Sequence, residues 1–233
     1  MEKTAKVIVS KNGPYIVSGN LPLDKEIIKT NSEGIPVKWV KGKKYPEKES
    51  YELCRCGGSK NKPFCDGTHH KIGFNGAETA GNKKYLDCAE KTTGPNLVLT
   101  DFQDLCASAR FCHIRDGVWN LIKFCDDPKI RDITIEAVGN CPSGRLVLWD
   151  SKTGKPVEPK FEPSISLIED PGFKVSGPIW VKGGVSLESI EGVKYEKRNR
   201  MTLCRCGQSK NKPFCDGSHI DCKFNDGDNS LKK

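Results

Sequence analysis

The sequence CRCGGSKNKPFCDGTH at residues 54–69 recurs almost unchanged as CRCGQSKNKPFCDGSH at residues 204–219. We call these stretches the first motif and the second motif. With the leucine that precedes each, they match at fifteen of seventeen positions and differ only at Gly58/Gln208 and Thr68/Ser218. Each motif has the spacing C-x-C-x8-C-x3-H. The repeat predicts two copies of one small structural unit, each built around cysteine and histidine.

The composition favours small, β-rich units that need stabilising links. Only 36% of the 233 residues are hydrophobic, whereas glycine (23) and proline (14) are plentiful. That balance favours short strands and turns over long helices. Small units with modest cores usually rely on disulfides or bound metals, and the twelve cysteines could supply either.

The N-terminal sequence MEKTAKVIVSKNG contains no apolar run long enough for a signal peptide, and no later stretch could span a membrane. We therefore expect a cytoplasmic protein without a membrane partner, whose cysteines bind metal and do not form disulfides. The net charge of +8 is spread over lysines that are mixed with acids. A nucleic-acid partner is therefore not expected.

A similar β-rich frame precedes both motifs. The stretches GPYIVSGNLPL (residues 13–23) and GPIWVKGGVSL (residues 177–187) each predict a strand, a glycine turn and a second strand. The repeated unit therefore includes this frame, and the segment between the two copies has a different character. We predict three domains, at residues 1–80, 81–160 and 161–233.

Two helices are predicted in the middle segment. The first would begin near Thr100 or Asp101, with residues at helical spacing up to Ala109. The second has Asp127 as its N-cap, a proline in its first turn, and Asn140 at its end. The strand LVLWD is predicted to follow.

Within the first motif, Cys54 and Cys56 form one close pair, and Cys65 and His69 form another. An irregular loop can turn the two C-x-C sulfurs to one metal, and a helix starting at the DGT turn would place His69 one turn beyond Cys65. Two such pairs suit a two-iron cluster, with one pair per iron. They also suit one tetrahedral zinc, since three cysteines and one histidine are an ordinary structural zinc set, although zinc sites usually contain C-x2-4-C spacings.

Each motif as a whole resembles that of the CDGSH iron–sulfur family, C-x-C-x2-(S/T)-x3-P-x-C-D-G-(S/T)-H, and fills all nine specified positions. The resemblance implies one [2Fe–2S] cluster per motif. It implies that Cys54 and Cys56 bind the inner iron. The outer, more exposed iron would then be bound by Cys65 and His69. The corresponding ligands of the second motif are Cys204, Cys206, Cys215 and His219.

Family members with a single motif pair as homodimers, so the resemblance implies that a chain with two motifs builds this pair internally. The expected fold is therefore α+β and β-rich. Two CDGSH β-units would form an intramolecular pseudo-dimer, with a small ferredoxin-like α+β domain between them. We expect the protein to be a monomer.

The histidine ligands would determine the chemistry of these two clusters. A neutral imidazole in place of a thiolate makes a cluster less negative, which raises its reduction potential. A ring nitrogen that binds iron cannot stay bound once it is protonated. His69 and His219 are therefore expected to provide a raised potential together with acid lability.

The middle segment contains a third set of candidate ligands. Cys106 and Cys112 are separated by five residues, and Cys141 precedes a proline, whereas bacterial ferredoxins use C-x2-C-x2-C and a distant C-P. Ala109 stands where the central cysteine would be, so three thiolates predict a [3Fe–4S] cluster, or a [4Fe–4S] cluster with one labile iron. The segment resembles the divergent mono-cluster ferredoxin domain that is often fused to CDGSH motifs.

A fourth ligand in the middle segment stays open. Relatives of that ferredoxin domain often have a histidine where this chain has Ser108. Cys125 is the spare candidate, and Cys88 and Cys222 follow it.

These expectations together predict a multi-cluster iron–sulfur protein that transfers one electron at a time, with a redox protein as its partner. An alternative is a cluster donor or redox/iron sensor that releases [2Fe–2S] through its histidine ligands to an apo iron–sulfur acceptor. A third is an enzyme that uses an open iron corner as a Lewis acid. No nucleophile triad, phosphate loop or dinucleotide motif is present in the sequence, so we do not expect an enzyme.

Overall fold

A computed structural model describes residues 5–232, in which thirteen strands form three sheets and the longest of five α-helices has twelve residues. The strands are β1 (Lys6–Val9), β2 (Tyr15–Ser18), β3 (Leu23–Thr30), β4 (Pro36–Lys44), β5 (Ser50–Leu53), β6 (Glu90–Thr93), β7 (Leu97–Asp101), β8 (Leu146–Asp150), β9 (Pro156–Val157), β10 (Ser164–Asp170), β11 (Val175–Lys182), β12 (Ser186–Ser189) and β13 (Arg200–Leu203). The α-helices are α1 (Thr68–Lys71), α2 (Tyr85–Cys88), α3 (Val118–Leu121), α4 (Pro128–Gly139) and α5 (Ser218–Asp221). Turns of 3-10 helix lie at Gln103–Leu105, Phe111–His113, Ile122–Phe124 and Asn229–Lys232.

Two of the sheets are each assembled from both copies of the repeated unit. One has the strand order β12-β1-β2-β5 and the other the order β13-β11-β10-β3-β4. β1 of the first copy pairs in parallel with β12 of the second, and β3 of the first copy pairs in parallel with β10 of the second. The second copy thus contributes one strand, β12, to the sheet of the first, and the first copy contributes two, β3 and β4, to the sheet of the second. The predicted β-rich α+β fold with an intramolecular pseudo-dimer is confirmed.

Both strand–turn–strand predictions are right that two strands flank a glycine turn. The two strands of each stretch do not pair with each other as a hairpin, however. After β2, Gly19 and Asn20 have φ angles of 90° and 56°, and β3 then joins the other sheet. The exchange puts Tyr15 and Val17 of the first copy into one buried core with Leu167 and Val181 of the second. A small sheet cannot bury its apolar face alone, so each copy relies on the other for its core.

A buried ionic cluster also ties the copies together. Lys25 of β3 donates to Glu169 of β10 at 2.9 Å, to Asp226 at 3.1 Å and to Asp228 at 2.7 Å. Arg205 of the second motif donates to Glu169 at 2.9 Å and to Asp226 at 2.5 Å. Although burial opposes it, the charges of Arg205 and Lys25 hold the pKa of Asp226 well below its ordinary value. The carboxylate therefore stays ionised between the two cations.

The middle segment forms an antiparallel sheet of its own, β6-β7-β8-β9, and α4 packs against it. The helix begins as predicted, because Asp127 accepts the Lys129 N–H at 2.7 Å and Pro128 occupies the first turn. Asn140 is its C-cap. The predicted strand LVLWD is β8.

The helix predicted to begin near Thr100 or Asp101 is wrong. Both residues belong to β7, which lies between β6 and β8, and a 3-10 turn and an irregular loop follow. Leu97 and Leu99 alternate into the core, and Arg145 binds the Asp101 carboxylate at 2.6 Å. Alternating burial and cross-strand pairing at Thr100 and Asp101 therefore outweigh the helical spacing of the apolar residues that follow them.

Among residues 5–232 no helix is long and apolar enough to cross a membrane. All twelve cysteines are free thiols, and none forms a disulfide. The outermost predicted domain limits, residues 1 and 233, lie outside the described residues, and the inner limits stay predictions.

We expect Lys25→Met to lower the free energy of unfolding by about 3 kcal/mol, because Glu169 and Asp226 lose a buried counter-charge. The control is Lys41→Met: Lys41 also contacts two carboxylates but its side chain is 62% exposed, and the loss should not exceed about 1 kcal/mol. Chemical denaturation followed by circular dichroism measures both. Equal losses would show that burial of Lys25 contributes nothing extra.

Candidate metal centres

Each motif is a loop that closes on the strand before it. In the first motif the Cys54 N–H donates to the Pro63 carbonyl at 2.8 Å, and the Cys65 N–H donates to the Glu52 carbonyl at 3.0 Å. The same bonds recur in the second motif, from Cys204 to Pro213 at 2.9 Å and from Cys215 to Thr202 at 3.0 Å. These bonds bring the C-x-C pair alongside the third cysteine.

The aspartate of each motif orders the turn that leads to the histidine. Asp66 accepts the Thr68 N–H at 3.0 Å and the Lys60 N–H at 2.8 Å. Asp216 makes the equivalent bonds to Ser218 at 3.0 Å and Lys210 at 2.7 Å. Hydrogen bonds from Thr68 and Lys60 keep the pKa of Asp66 well below its ordinary value. Gly67 has a φ of 80°, a conformation that suits glycine, and α1 then presents His69.

The four predicted ligands of each motif lie in two pairs. In the first motif the sulfurs of Cys54 and Cys56 are 3.8 Å apart, and Cys65 Sγ is 3.4 Å from His69 Nδ1. The corresponding distances in the second motif are 3.6 Å and 3.4 Å. Within residues 5–232, no group of three His, Cys, Asp or Glu side chains is placed to hold one metal ion. Two separate pairs fit the two irons of a [2Fe–2S] cluster, with Nδ1 as the histidine nitrogen that faces the site.

The surroundings of these sulfurs suit a negatively charged cluster. The Gly58 N–H points at Cys56 Sγ at 3.4 Å, and the Gly217 N–H points at Cys215 Sγ at 3.5 Å. Burial raises the pKa of the Cys54 thiol to about 11 and also raises that of Cys215. Such thiols keep their protons until a metal displaces them, so a metal bound here would release protons.

The C-x-C loops of the two motifs touch each other. A Cβ at Gly57 would lie 2.5 Å from the Cys206 carbonyl oxygen, and a Cβ at Gly207 would lie 2.6 Å from the Cys56 carbonyl oxygen. Both glycines also have positive φ angles, so only glycine fits at either position. Tyr15 strengthens the junction, because its hydroxyl donates to the Cys204 carbonyl at 2.9 Å. The two ligand sets are therefore neighbours across the pseudo-dimer.

The two differences between the motifs belong to one packing change. A Cβ at Gly58 would lie 3.1 Å from Thr68 Cγ2 and 3.2 Å from Ile72 Cδ1. In the second copy, the residues equivalent to Gly58, Thr68 and Ile72 are Gln208, Ser218 and Cys222. Serine and cysteine are smaller than threonine and isoleucine, and they leave the space that the glutamine Cβ needs.

The two sites differ in exposure. His219 and Cys215 are 4% and 3% exposed, whereas His69 and Cys65 are only partly buried. Burial, helped by the charge of Arg205, lowers the pKa of His219 to about 4. Burial also lowers the pKa of His69. Both imidazoles are therefore held in the neutral form that can bind iron.

The arginine inside each C-x-C is buried in both motifs but meets different partners. Arg205 binds the carboxylates of Glu169 and Asp226. Arg55, which is 1% exposed, donates to the carbonyl oxygens of Ser10 and Gly76. Within the described part of the chain, its Nε has no hydrogen-bond partner. The first site therefore has a buried cation that is bonded to carbonyl groups and not to carboxylates.

Cys106, Cys112 and Cys141 line one small cavity. The structure thus brings together the three middle cysteines that the spacing predicted as ligands. The other walls are the loop between Cys106 and Cys112 and residues 142, 143, 145 and 146. Burial raises the pKa of Cys112 to about 12, so this thiol also holds its proton until a metal binds.

Sequence reasoning missed two residues that complete this cavity. Arg145 binds the Asp101 carboxylate at 2.6 Å and 2.8 Å, and its guanidinium is close enough to Cys106 for their charges to interact. The Ser143 hydroxyl lies 3.6 Å from Cys141 Sγ. In the sequence, only their position in the stretch CPSGRL, which begins at Cys141, could have indicated this role. A buried cation and a hydroxyl beside three thiols fit a negatively charged iron–sulfur cluster.

The spare cysteines lie elsewhere. Cys125 is fully buried in the core beneath α4, and its thiol donates to the Leu121 carbonyl at 3.5 Å. Cys88 lines a different cavity, and Cys222 is exposed. None of the three lines the middle cavity.

Ala109, which stands where ferredoxins have another cysteine, lines the middle cavity and also packs with Ile28 and Trp180. A side chain at this position therefore turns toward the apolar core. Among the described residues, the thiols that line the cavity are therefore those of Cys106, Cys112 and Cys141.

The packing change predicts that Gly58→Gln lowers the Tm by about 2–4 °C, because the new Cβ crowds Thr68 and Ile72. Adding Thr68→Ser and Ile72→Cys should restore most of the loss, since this trio occurs together in the second copy. Thermal denaturation of the cluster-loaded proteins measures both effects. A triple variant no more stable than Gly58→Gln would contradict the coupling.

Family models match three regions of the chain. Residues 12–70 and 176–220 match the iron-binding zinc finger of CDGSH type, and residues 92–151 match the divergent 4Fe-4S mono-cluster. No curated protein and no solved structure matches the chain. The matched regions contain the two motifs and the three cysteines of the middle cavity. The chain is therefore an iron–sulfur protein of the CDGSH type, in which two CDGSH regions flank a divergent mono-cluster region.

Proposed function

We propose that this protein is a one-electron carrier that works as a redox relay. It uses two [2Fe–2S] clusters, each held by three cysteines and one histidine, and one [3Fe–4S] or [4Fe–4S] cluster held by three cysteines. Each cluster, when bound, takes up and releases one electron. The partners are redox proteins, and the chain itself is not an enzyme.

Contact among the three ligand sets carries this proposal. The first and second motifs touch through Gly57 and Gly207. On its other side, the second motif touches the middle ligand loop, because a Cβ at Gly217 would lie 2.7 Å from Ser108 Oγ and 3.6 Å from the Cys106 carbonyl oxygen. The second motif therefore lies between the other two ligand sets, an arrangement that suits a relay of electrons through the protein.

Side chains of this chain supply positive charge next to the ligands. Arg145 lies beside Cys106 in the middle site, and Arg55 and Arg205 each lie between two ligand cysteines. All three arginines are buried, so solvent screens their charges little, and the charge of Arg55 is the one without a carboxylate partner among the described residues. They favour the binding of an anionic cluster and of an added electron.

One observation favours a second candidate function, the donation of a [2Fe–2S] cluster or the sensing of redox state or iron. The outer ligand pair of the first motif, Cys65 and His69, is partly exposed, and an acceptor protein needs such access. The two functions differ in what leaves the protein, an electron or a whole cluster. Cluster transfer to an apo-ferredoxin, compared with reversible reduction and reoxidation, distinguishes them.

The proposed ligand sets predict the metal content. Anaerobically purified protein should contain iron and sulfide in the amounts required by two two-iron clusters and one three- or four-iron cluster. Cys112→Ser should lose the middle cluster, because its thiol faces the cavity. Cys125→Ser, Cys88→Ser and Cys222→Ser are the matched controls and should keep full iron. Zinc in place of iron, or loss of iron in a control, would contradict these assignments.

Histidine-to-cysteine exchange should lower the potentials of the two [2Fe–2S] clusters. An added thiolate makes each cluster more negative, and we expect a decrease on the order of 100 mV at each exchanged site. Redox titration of His69→Cys and His219→Cys, followed by EPR, measures the change. Unchanged potentials would show that these histidines do not bind iron.

A further inference from the structure

The middle segment covers one of the two motifs and leaves the other open. Gly67 and Gly217 occupy equivalent positions, two residues before the ligand histidines. Apart from its chain neighbours, no atom of residues 5–232 lies within 4 Å of a Cβ placed on Gly67. At Gly217 the same position is 2.7 Å from Ser108 Oγ. Almost identical sequences therefore have different surroundings.

An ion pair holds the loop that covers the second motif against the second copy. Arg110 donates to Asp170 at 2.6 Å and 3.2 Å, and its guanidinium stacks on Phe173 at 3.6 Å. Asn211, within the second motif, donates to the Asp104 carbonyl at 2.9 Å. We call residues 104–110 the cover loop. It lies against the motif in which Cys215 and His219 are buried, while their equivalents Cys65 and His69 stay partly exposed.

The partners of the buried arginine also differ between the two motifs. Arg205 is neutralised by two carboxylates, whereas Arg55 is bonded to carbonyl groups. The first site therefore has a buried cation without a carboxylate partner, and it has the better access to solvent. Both properties raise a reduction potential.

We infer that the two motifs have different tasks. Partner proteins dock at the first motif, beside Cys65 and His69. The second motif is an internal site, closed by the cover loop, that connects the first motif with the middle cysteines. This inference rests on the proposed function, since it assigns the docking face of the same relay.

The docking face fits a small redox protein of acidic net charge that makes an apolar contact with Ile72. Exposed side chains next to His69 include Lys60, Lys71 and Ile72. The exposed carboxylates of Asp66 and Glu52 offset these lysines locally, so the charge that selects the partner is that of the whole chain. The net charge of +8 would attract an acidic partner from a distance.

Removal of iron by EDTA at constant neutral pH tests the difference in access. Iron and sulfide are first counted to establish that both [2Fe–2S] clusters are present, and loss of the visible absorbance is then followed in the intact protein. Apart from the absorbance of the middle cluster, which Cys112→Ser removes, we expect the two [2Fe–2S] clusters to be lost in two phases of equal amplitude. The first site should lose its cluster at least about tenfold faster. His69→Cys should abolish the fast phase, and His219→Cys should leave it unchanged.

Variants of the cover loop supply the decisive comparison. Ser108, Arg110 and Arg115 all have positive φ angles, so replacing each with glycine relaxes the backbone in the same way. Ser108→Gly and Arg110→Gly should accelerate the slow phase without changing the fast one. Arg115→Gly, at an exposed position outside the cover loop, should change neither.

The outcomes separate this inference from the function on which it rests. A protein that binds zinc, or lacks the clusters, refutes the proposed relay before EDTA is added. When both clusters are present, release in one phase overturns the inference alone. So does a fast phase that depends on His219. A slow phase accelerated only by the cover-loop variants supports it.

Discussion

The structure depends on one close contact, the approach of the two C-x-C loops to each other. Gly57 and Gly207 bring each loop against the backbone of the other, at distances that leave no space for a side chain. The contact demands that two copies of the unit face each other. It is supported by the exchange of β3 and β12 between sheets and by the core that both copies share. The near-identity of the motifs follows from this arrangement, because each loop is also the surface on which the other packs.

The middle segment breaks this symmetry. It contacts the second motif, through Ser108 at Gly217 and through Asp104 at Asn211, whereas the equivalent Gly67 has no such neighbour among residues 5–232. The second ligand set therefore lies between the first motif and the middle cavity. A symmetric pair of sites becomes a linear series of three, although the ligands of the two motifs are chemically the same.

The buried charges follow the same division. Around the second motif, Arg205 and Lys25 share Glu169 and Asp226 in a closed ionic cluster. Around the first, Arg55 is bonded to carbonyl oxygens. A buried ion pair contributes little net stability compared with apolar packing, but it sets the local electrostatic potential. The two sites are thus expected to differ in redox properties despite matching motifs.

The sequence by itself determined the parts of this protein that depend on residues close together in the chain. The C-x-C and C-x3-H spacings produced the ligand pairs of both motifs, with Asp66 and Gly67 shaping the turn. Asp127 and Pro128 started α4 in the same local way. Resemblance to single-motif homodimers extended this reasoning to the pseudo-dimer.

Only the tertiary structure decided what depends on residues far apart in the chain. Strand exchange, the burial of His219 under the cover loop, and the bond of Arg145 to Asp101 all join distant segments. The helix predicted near Asp101 was wrong for the same reason, because pairing with β6 and β8 outweighed local spacing. Neighbouring residues set which atoms can bind iron, and long-range packing sets which of the resulting sites a partner can reach.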